Sequence, residues 1–134
     1  MKLSDVFKAS AALALVAAIV VFVWTYQFLG FFGSEASWYM IDATRSFVAP
    51  FFLALAVFNW YASETKDSGY KNAAFWGNFV LSAFGLGGSI FAQTAGRYNS
   101  WGWIVVLVYL VFTLAYLYYG IMRNEVATVA TSRT

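Results

Sequence analysis

The sequence predicts an all-α, polytopic membrane protein: an antiparallel four-helix transmembrane bundle. Three observations predict it. Hydrophobic residues make up 62% of the 134 residues and charged residues only 10%, whereas a soluble domain averages about 25% charged. Four continuously apolar runs are each near the length of about 20 residues that spans a hydrocarbon core as a helix. Lys and Arg fall mostly in alternate connections, the pattern of a chain crossing back and forth.

The first span is expected over about 9–32, the second over 44–62, the third over 73–94 and the fourth over 101–122. Together they make one transmembrane domain, 1–122, followed by a short tail, 123–134. The runs do not alternate in polarity, as barrel strands do. Four strands could not close a barrel, and an open sheet edge is not tolerated in lipid. Lys2 and Lys8 before an apolar run suggest a signal peptide. That run, however, passes 20 residues, and Trp24, Tyr26 and Gln27 stand where small cleavage-site residues belong. A retained helix is expected.

The joining segments are short: Gly33 to Ala43, Ser63 to Asn72, and Ala95 to Ser100. Lys2, Lys8, Lys66, Lys71, Arg123 and Arg133 fall on one side and Arg45 and Arg97 on the other. Six against two places both termini on the cytoplasmic side. Aromatics mark both boundaries, with Trp24, Tyr26, Trp38, Tyr39, Tyr98, Trp101 and Trp103 outside and Trp60, Tyr61, Trp76, Tyr118 and Tyr119 inside.

Helices in lipid associate through close packing and polar contacts. On the third span Asn78, Ser82, Gly85, Ser89, Ala92 and Gly96 recur every three or four residues, forming a groove of small residues that Gly88 widens. The fourth span carries a matching ridge of Val105, Tyr109, Phe112, Tyr116 and Tyr119. Counted from the short outer loop, Tyr109 comes level with Gly85 and Tyr116 with Asn78. A buried Tyr hydroxyl needs a partner, which Ser82, Ser89 or Asn78 can supply. The groove reads as helix packing, or as a pocket for a ring-shaped or lipid ligand. Asn59 and Asn78 flank the middle loop and can bond to each other. Pro50, two turns into the second span, is expected to reshape that helix.

Composition narrows the chemistry. There is no Cys and no His, so the commonest ligands for haem, zinc and copper are missing and no cofactor or metal is expected. The net charge of +2 is too small and scattered for nucleic acid. No ionisable residue falls at mid-membrane depth, which argues against small proton-coupled exporters, whose first helix carries a carboxylate; Ala12 to Val21 holds none. No TVGYG-type filter is present. The outer side has a polar cluster of Glu35, Asp42, Arg45 and Arg97, in which Asp42 and Arg45 can pair at the start of the second span. It reads as interfacial anchoring or as a small outer binding site.

Arg45 in Ala-Thr-Arg-Ser-Phe, Trp60 in Phe-Asn-Trp-Tyr-Ala, Gly77-Asn78, and Gly96 to Trp103 in a Gly-x-x-Asn-x-x-Gly-Trp arrangement occur in this order between Asp42 and Gly120. In this the chain resembles the small four-helix bacterial membrane proteins grouped as DoxX-like or of unknown function. The first span departs from that pattern. The resemblance implies a four-helix bundle in the inner membrane and no particular activity.

The leading functional expectation is a non-catalytic accessory or scaffold subunit acting through helix contacts with other membrane subunits or with copies of itself. The alternative is a small carrier or channel for an apolar or lipid-like solute. A membrane enzyme using Arg45, Arg97 and the outer carboxylates Glu35 and Asp42 ranks last, since no reaction can be named for it.

Overall fold

A computed structural model describes residues 2–33 and 37–122. Among these the chain is helical and contains no strand. The helices are α1 (Leu3–Val23), α2 (Thr25–Phe31), α3 (Trp38–Ala43), α4 (Ala49–Glu64), α5 (Ser68–Thr94) and α6 (Gly102–Tyr116), with π-helical turns over Thr44–Val48 and Leu117–Met122. Four stretches are long and apolar enough to cross a membrane: Leu3–Val23, Met40–Glu64, Ser68–Thr94 and Gly102–Met122. In the most apolar part of the second and of the fourth, only 17% of the residues are buried within the protein. The remaining apolar surface needs a non-aqueous surrounding.

Local chemistry sets the ends of these helices, and several lie away from the positions expected from apolarity. α1 begins at Leu3 rather than near Ala9, because the Asp5 carboxylate accepts the Lys2 backbone N–H at 2.6 Å and complements the positive helix N-terminus. The run through Phe32 is interrupted at Trp24, whose backbone leaves the helical region (φ −117°, ψ 40°). The adjoining Thr25 is buried and turns its hydroxyl back to the Val21 carbonyl.

The middle connection shrinks to Thr65–Asp67. Asp67 caps α5 by accepting the Tyr70 N–H at 3.1 Å, so Ser68 to Asn72 join the helix instead of the loop. Pro50 falls in the first turn of α4, where its missing N–H is tolerated. The π-turn lies just before it, with the Ala49 N–H bonded to the Thr44 carbonyl five residues back. The expected reshaping thus takes the form of a widened turn. α5 ends in a Schellman arrangement. Gly96 sits at φ 69°, its N–H bonds the Gln93 carbonyl at 3.2 Å, and the Arg97 N–H bonds the Ala92 carbonyl at 2.9 Å. A side chain at Gly96 would be strained whatever space surrounds it.

α1 packs chiefly along α4, and α5 along α6; α4 with α5 and α1 with α6 make lesser contacts. The two pairs meet most fully where α1 and α5 begin and where α4 and α6 end. There the buried side chains of Leu3, Val6, Phe7, Ala62, Ala74, Phe75 and Tyr116 form the hydrophobic core. The Phe7 and Phe75 rings lie 5.8 Å and 6.2 Å from that of Tyr116. The second π-turn closes over the same place: a Cβ at Gly120 would overlap the Phe75 ring.

Candidate functional site

The most polar place inside the protein lies directly against this core. Asn59 on α4 and Asn78 on α5 are buried and bonded reciprocally: Asn59 Nδ2 donates to Asn78 Oδ1 at 3.1 Å, and Asn78 Nδ2 donates to Asn59 Oδ1 at 2.7 Å. Each amide has one further proton. Asn59 gives its own to Ser10 Oγ on α1 at 3.0 Å, and Asn78 gives its own to the Ala74 carbonyl at 2.8 Å. Both side-chain amides therefore use both donors and the acceptor within the chain.

Tyr116 on α6 completes the group. Its ring is fully buried and its hydroxyl faces Ser10, although the two do not reach ordinary hydrogen-bond geometry and the hydroxyl has no bonded partner. All four long helices thus bring one polar side chain to the same place, and those of Ser10, Asn59 and Asn78 are bonded into a knot. The knot is neutral, and neither amide titrates. Its physical effect is to fix which helix faces meet, since any rotation of α4 or α5 would strand an amide in an apolar surrounding.

The expected groove on α5 meets the α6 ridge at Gly85. The Tyr109 ring lies so close to Gly85 that a Cβ there would overlap it. Ser82 and Ser89 are buried, and the Ser89 hydroxyl bonds back to the Leu86 carbonyl at 3.0 Å. Ala92 is half-buried. Phe112 packs on the core, its ring 6.3 Å from that of Tyr116. Gly88 is exposed, and a Cβ there would meet nothing within 4 Å. The Tyr116 hydroxyl departs from the expectation. It faces Ser10 and bonds none of Ser82, Ser89 and Asn78.

The structure does not draw the outer polar residues together. Asp42, Arg45 and Arg97 are all exposed, and none of them takes part in an ion pair among the described residues. Arg45 lies in the π-turn, which changes the register that would bring it over Asp42. The Arg97 guanidinium stands 5.3 Å from the centre of the Phe91 ring. Glu35 and the tail 123–134 lie outside the described residues. The ion pair that does form joins Lys8 Nζ to Glu64 Oε1 at 2.9 Å, linking the start of α1 to the end of α4.

At the opposite end Asn99 is the organising residue. Its side chain donates to the Phe31 carbonyl at 2.8 Å and accepts the Trp101 N–H at 3.0 Å, while its backbone N–H bonds the Phe32 carbonyl at 3.2 Å. Gln93 Nε2 donates to the Asn99 carbonyl at 3.2 Å. Sequence reasoning noted Asn99 only within a motif and passed over Ser10 and Gln93. Ser10 carried one weak signal: it is a polar residue inside an otherwise alanine-rich run.

Among the described residues no three His, Cys, Asp or Glu side chains come together as a metal site would require. No protein-family model, curated protein or solved structure matches the chain.

Proposed function

We propose that this protein is a multi-pass protein of the bacterial inner membrane, an antiparallel four-helix bundle with both termini in the cytoplasm. In this reading it serves as a non-catalytic accessory or scaffold subunit that acts through helix contacts with other membrane subunits. The DoxX-like resemblance belongs to the same proposal.

One observation carries it: the buried amides of Asn59 and Asn78 are consumed within the chain, while the outward faces stay apolar and aromatic. Asn59, Asn78 and Ser10 bond one another. Phe47, Phe51, Val57, Phe84, Phe91 and Val111 stand exposed on three different spans. A chain arranged in this way offers its surface to neighbours and keeps its core for cohesion. A carrier passing an apolar solute between α5 and α6 would need that seam open, and the Tyr109 ring occupies it against Gly85.

The test is purification of the chromosomally tagged protein from native membranes in a mild detergent. Recovery in fixed proportion with a larger membrane complex is expected. Repeated recovery as a lone monomer, with no neighbour trapped by cross-linking in the intact membrane, would overturn the proposal.

A further inference from the structure

A cavity of about 590 Å³ opens between α1 and α4 on the outward side of the pair. Ala11, Ala12 and Ala56 line it where a larger side chain would fill it, Leu15 and Leu53 lie at one end, and Glu64 lies at the other. Glu64 is the acid that pairs with Lys8, and both side chains are about half exposed, at 55% and 48%. The cavity is therefore an apolar trough that finishes at a plus–minus pair.

Its length decides what fits. Glu64 lies eleven helical steps beyond Leu53, which is about 16 Å at 1.5 Å per residue. The hydrocarbon core is roughly 30 Å thick, so the trough is one leaflet deep. A partner's transmembrane helix would need a seam running the full thickness, whereas a single lipid chain needs half. Trp60 and Tyr61 also line the trough near its charged end, where amphipathic rings settle at the headgroup boundary.

The charged end selects among headgroups. An anionic lipid would find Lys8 but would be repelled by Glu64. A net-neutral headgroup carrying a phosphate and a primary ammonium complements both: phosphate oxygens accept from Lys8, and the ammonium donates to Glu64. A choline headgroup has the same charges but no N–H to donate. We propose that the α1–α4 trough is a binding site for one phosphatidylethanolamine molecule, with an acyl chain along Ala11, Ala12 and Ala56 and the headgroup exchanged into the Lys8–Glu64 pair. This rests on the membrane-spanning reading above.

The test titrates the full-length, delipidated protein in detergent with palmitoyl-oleoyl phosphatidylethanolamine, -choline and -glycerol, and counts retained adducts by native mass spectrometry. One ethanolamine lipid should be held at about fivefold lower concentration than the glycerol lipid, the upper end for a partly exposed ion pair. Glu64→Gln removes the acid bonded to Lys8, leaving only the weaker influence of Asp5, and should turn the preference toward the glycerol lipid. Ala12→Phe, at an exposed position that needs no core rearrangement, should remove the adduct while the helical circular dichroism stays unchanged. Equal or tighter binding of the glycerol lipid by the wild type overturns the proposal, as does an ethanolamine adduct that survives Ala12→Phe. A dimer that Ala12→Phe dissolves would assign the trough to a second copy and overturn it as well. The underlying reading fails separately: it falls if the protein leaves the membrane pellet in an alkaline carbonate wash, whereas a protein that stays in the pellet yet retains no lipid overturns the site alone.

Discussion

The two ends of the molecule are held by different means. At the Lys8 end, side chains from all four spans meet: the rings of Phe7, Phe75 and Tyr116 pack tilted and edge-on beside the bonded amides of Asn59 and Asn78. At the Asn99 end, one loop residue does most of the joining, largely through backbone groups of Phe31, Phe32 and Trp101. Aromatic contacts help there too, with the Phe31 ring 5.3 Å from Trp101 and the Phe32 ring 6.0 Å from Tyr98. Packing that interlocks four helices is cooperative, because losing one ring loosens all its neighbours. Hydrogen bonds from a loop to the end of a neighbouring helix can open locally. The Lys8 end should therefore govern global stability, and the Asn99 end local motion.

The largest break in that contrast should come from Phe75→Ala. Phe75 is fully buried between the α5 and α6 faces, and its truncation is expected to lower unfolding stability by about 3 kcal/mol, read by denaturant titration in mixed micelles. A loss no greater than that of an exposed Phe, such as Phe84→Ala, would place the core elsewhere. Gly85→Leu comes next, at about 2 kcal/mol, since the added side chain must displace Tyr109. Pairing it with Tyr109→Ala should recover part of the loss. A double variant as unstable as the sum of the singles would mean the two residues do not touch.

The amide knot should give a smaller effect with a sharper signature. Asn59→Leu and Asn78→Leu are each expected to cost about 1 kcal/mol, with the double variant costing less than the sum by about 0.6 kcal/mol. Strict additivity in that cycle would exclude the reciprocal bond. Asn99→Ala should alter global stability by less than about 1 kcal/mol, yet speed amide hydrogen exchange around 31–33 and 97–102. Faster exchange spread evenly through α1 and α5 would erase the difference between the two ends. The smallest effect belongs to Tyr116→Phe. Its hydroxyl is buried without a bonded partner, so removing it should leave stability unchanged or raise it slightly; a clear loss would mean that Ser10 does receive a bond from it.

Much of the second half of the chain was legible from residue spacing. Asn59 and Asn78 flank the middle loop near one boundary and were expected to bond, and the structure joins them. Counting from the outer loop brought Tyr109 level with Gly85, and the ring lies there. The same reasoning failed where local geometry changed the count. The break at Trp24 and the π-turn at Thr44–Val48 both alter which side chains share a face. Asp42 and Arg45 stay apart for that reason, and the extension of α5 back to Ser68 depended on a capping bond at Asp67 that hydropathy does not register.

By itself the sequence determined that four oily stretches must coil into helices. Each is long enough to cross lipid, and no other backbone form satisfies its own hydrogen bonds there. It also determined that the fourth span lies beside the third, across the short outer loop. Only the tertiary structure decided how the first span turns. α1 is apolar nearly all round, so no periodic pattern marks a preferred face, and in lipid every face is equally soluble. Its rotation is set by fit: alanines close against α4, and Ser10 comes within reach of Asn59 and Tyr116. The trough beside Glu64 and the knot beside Phe75 both follow from that closure, which no stretch of the chain specifies alone.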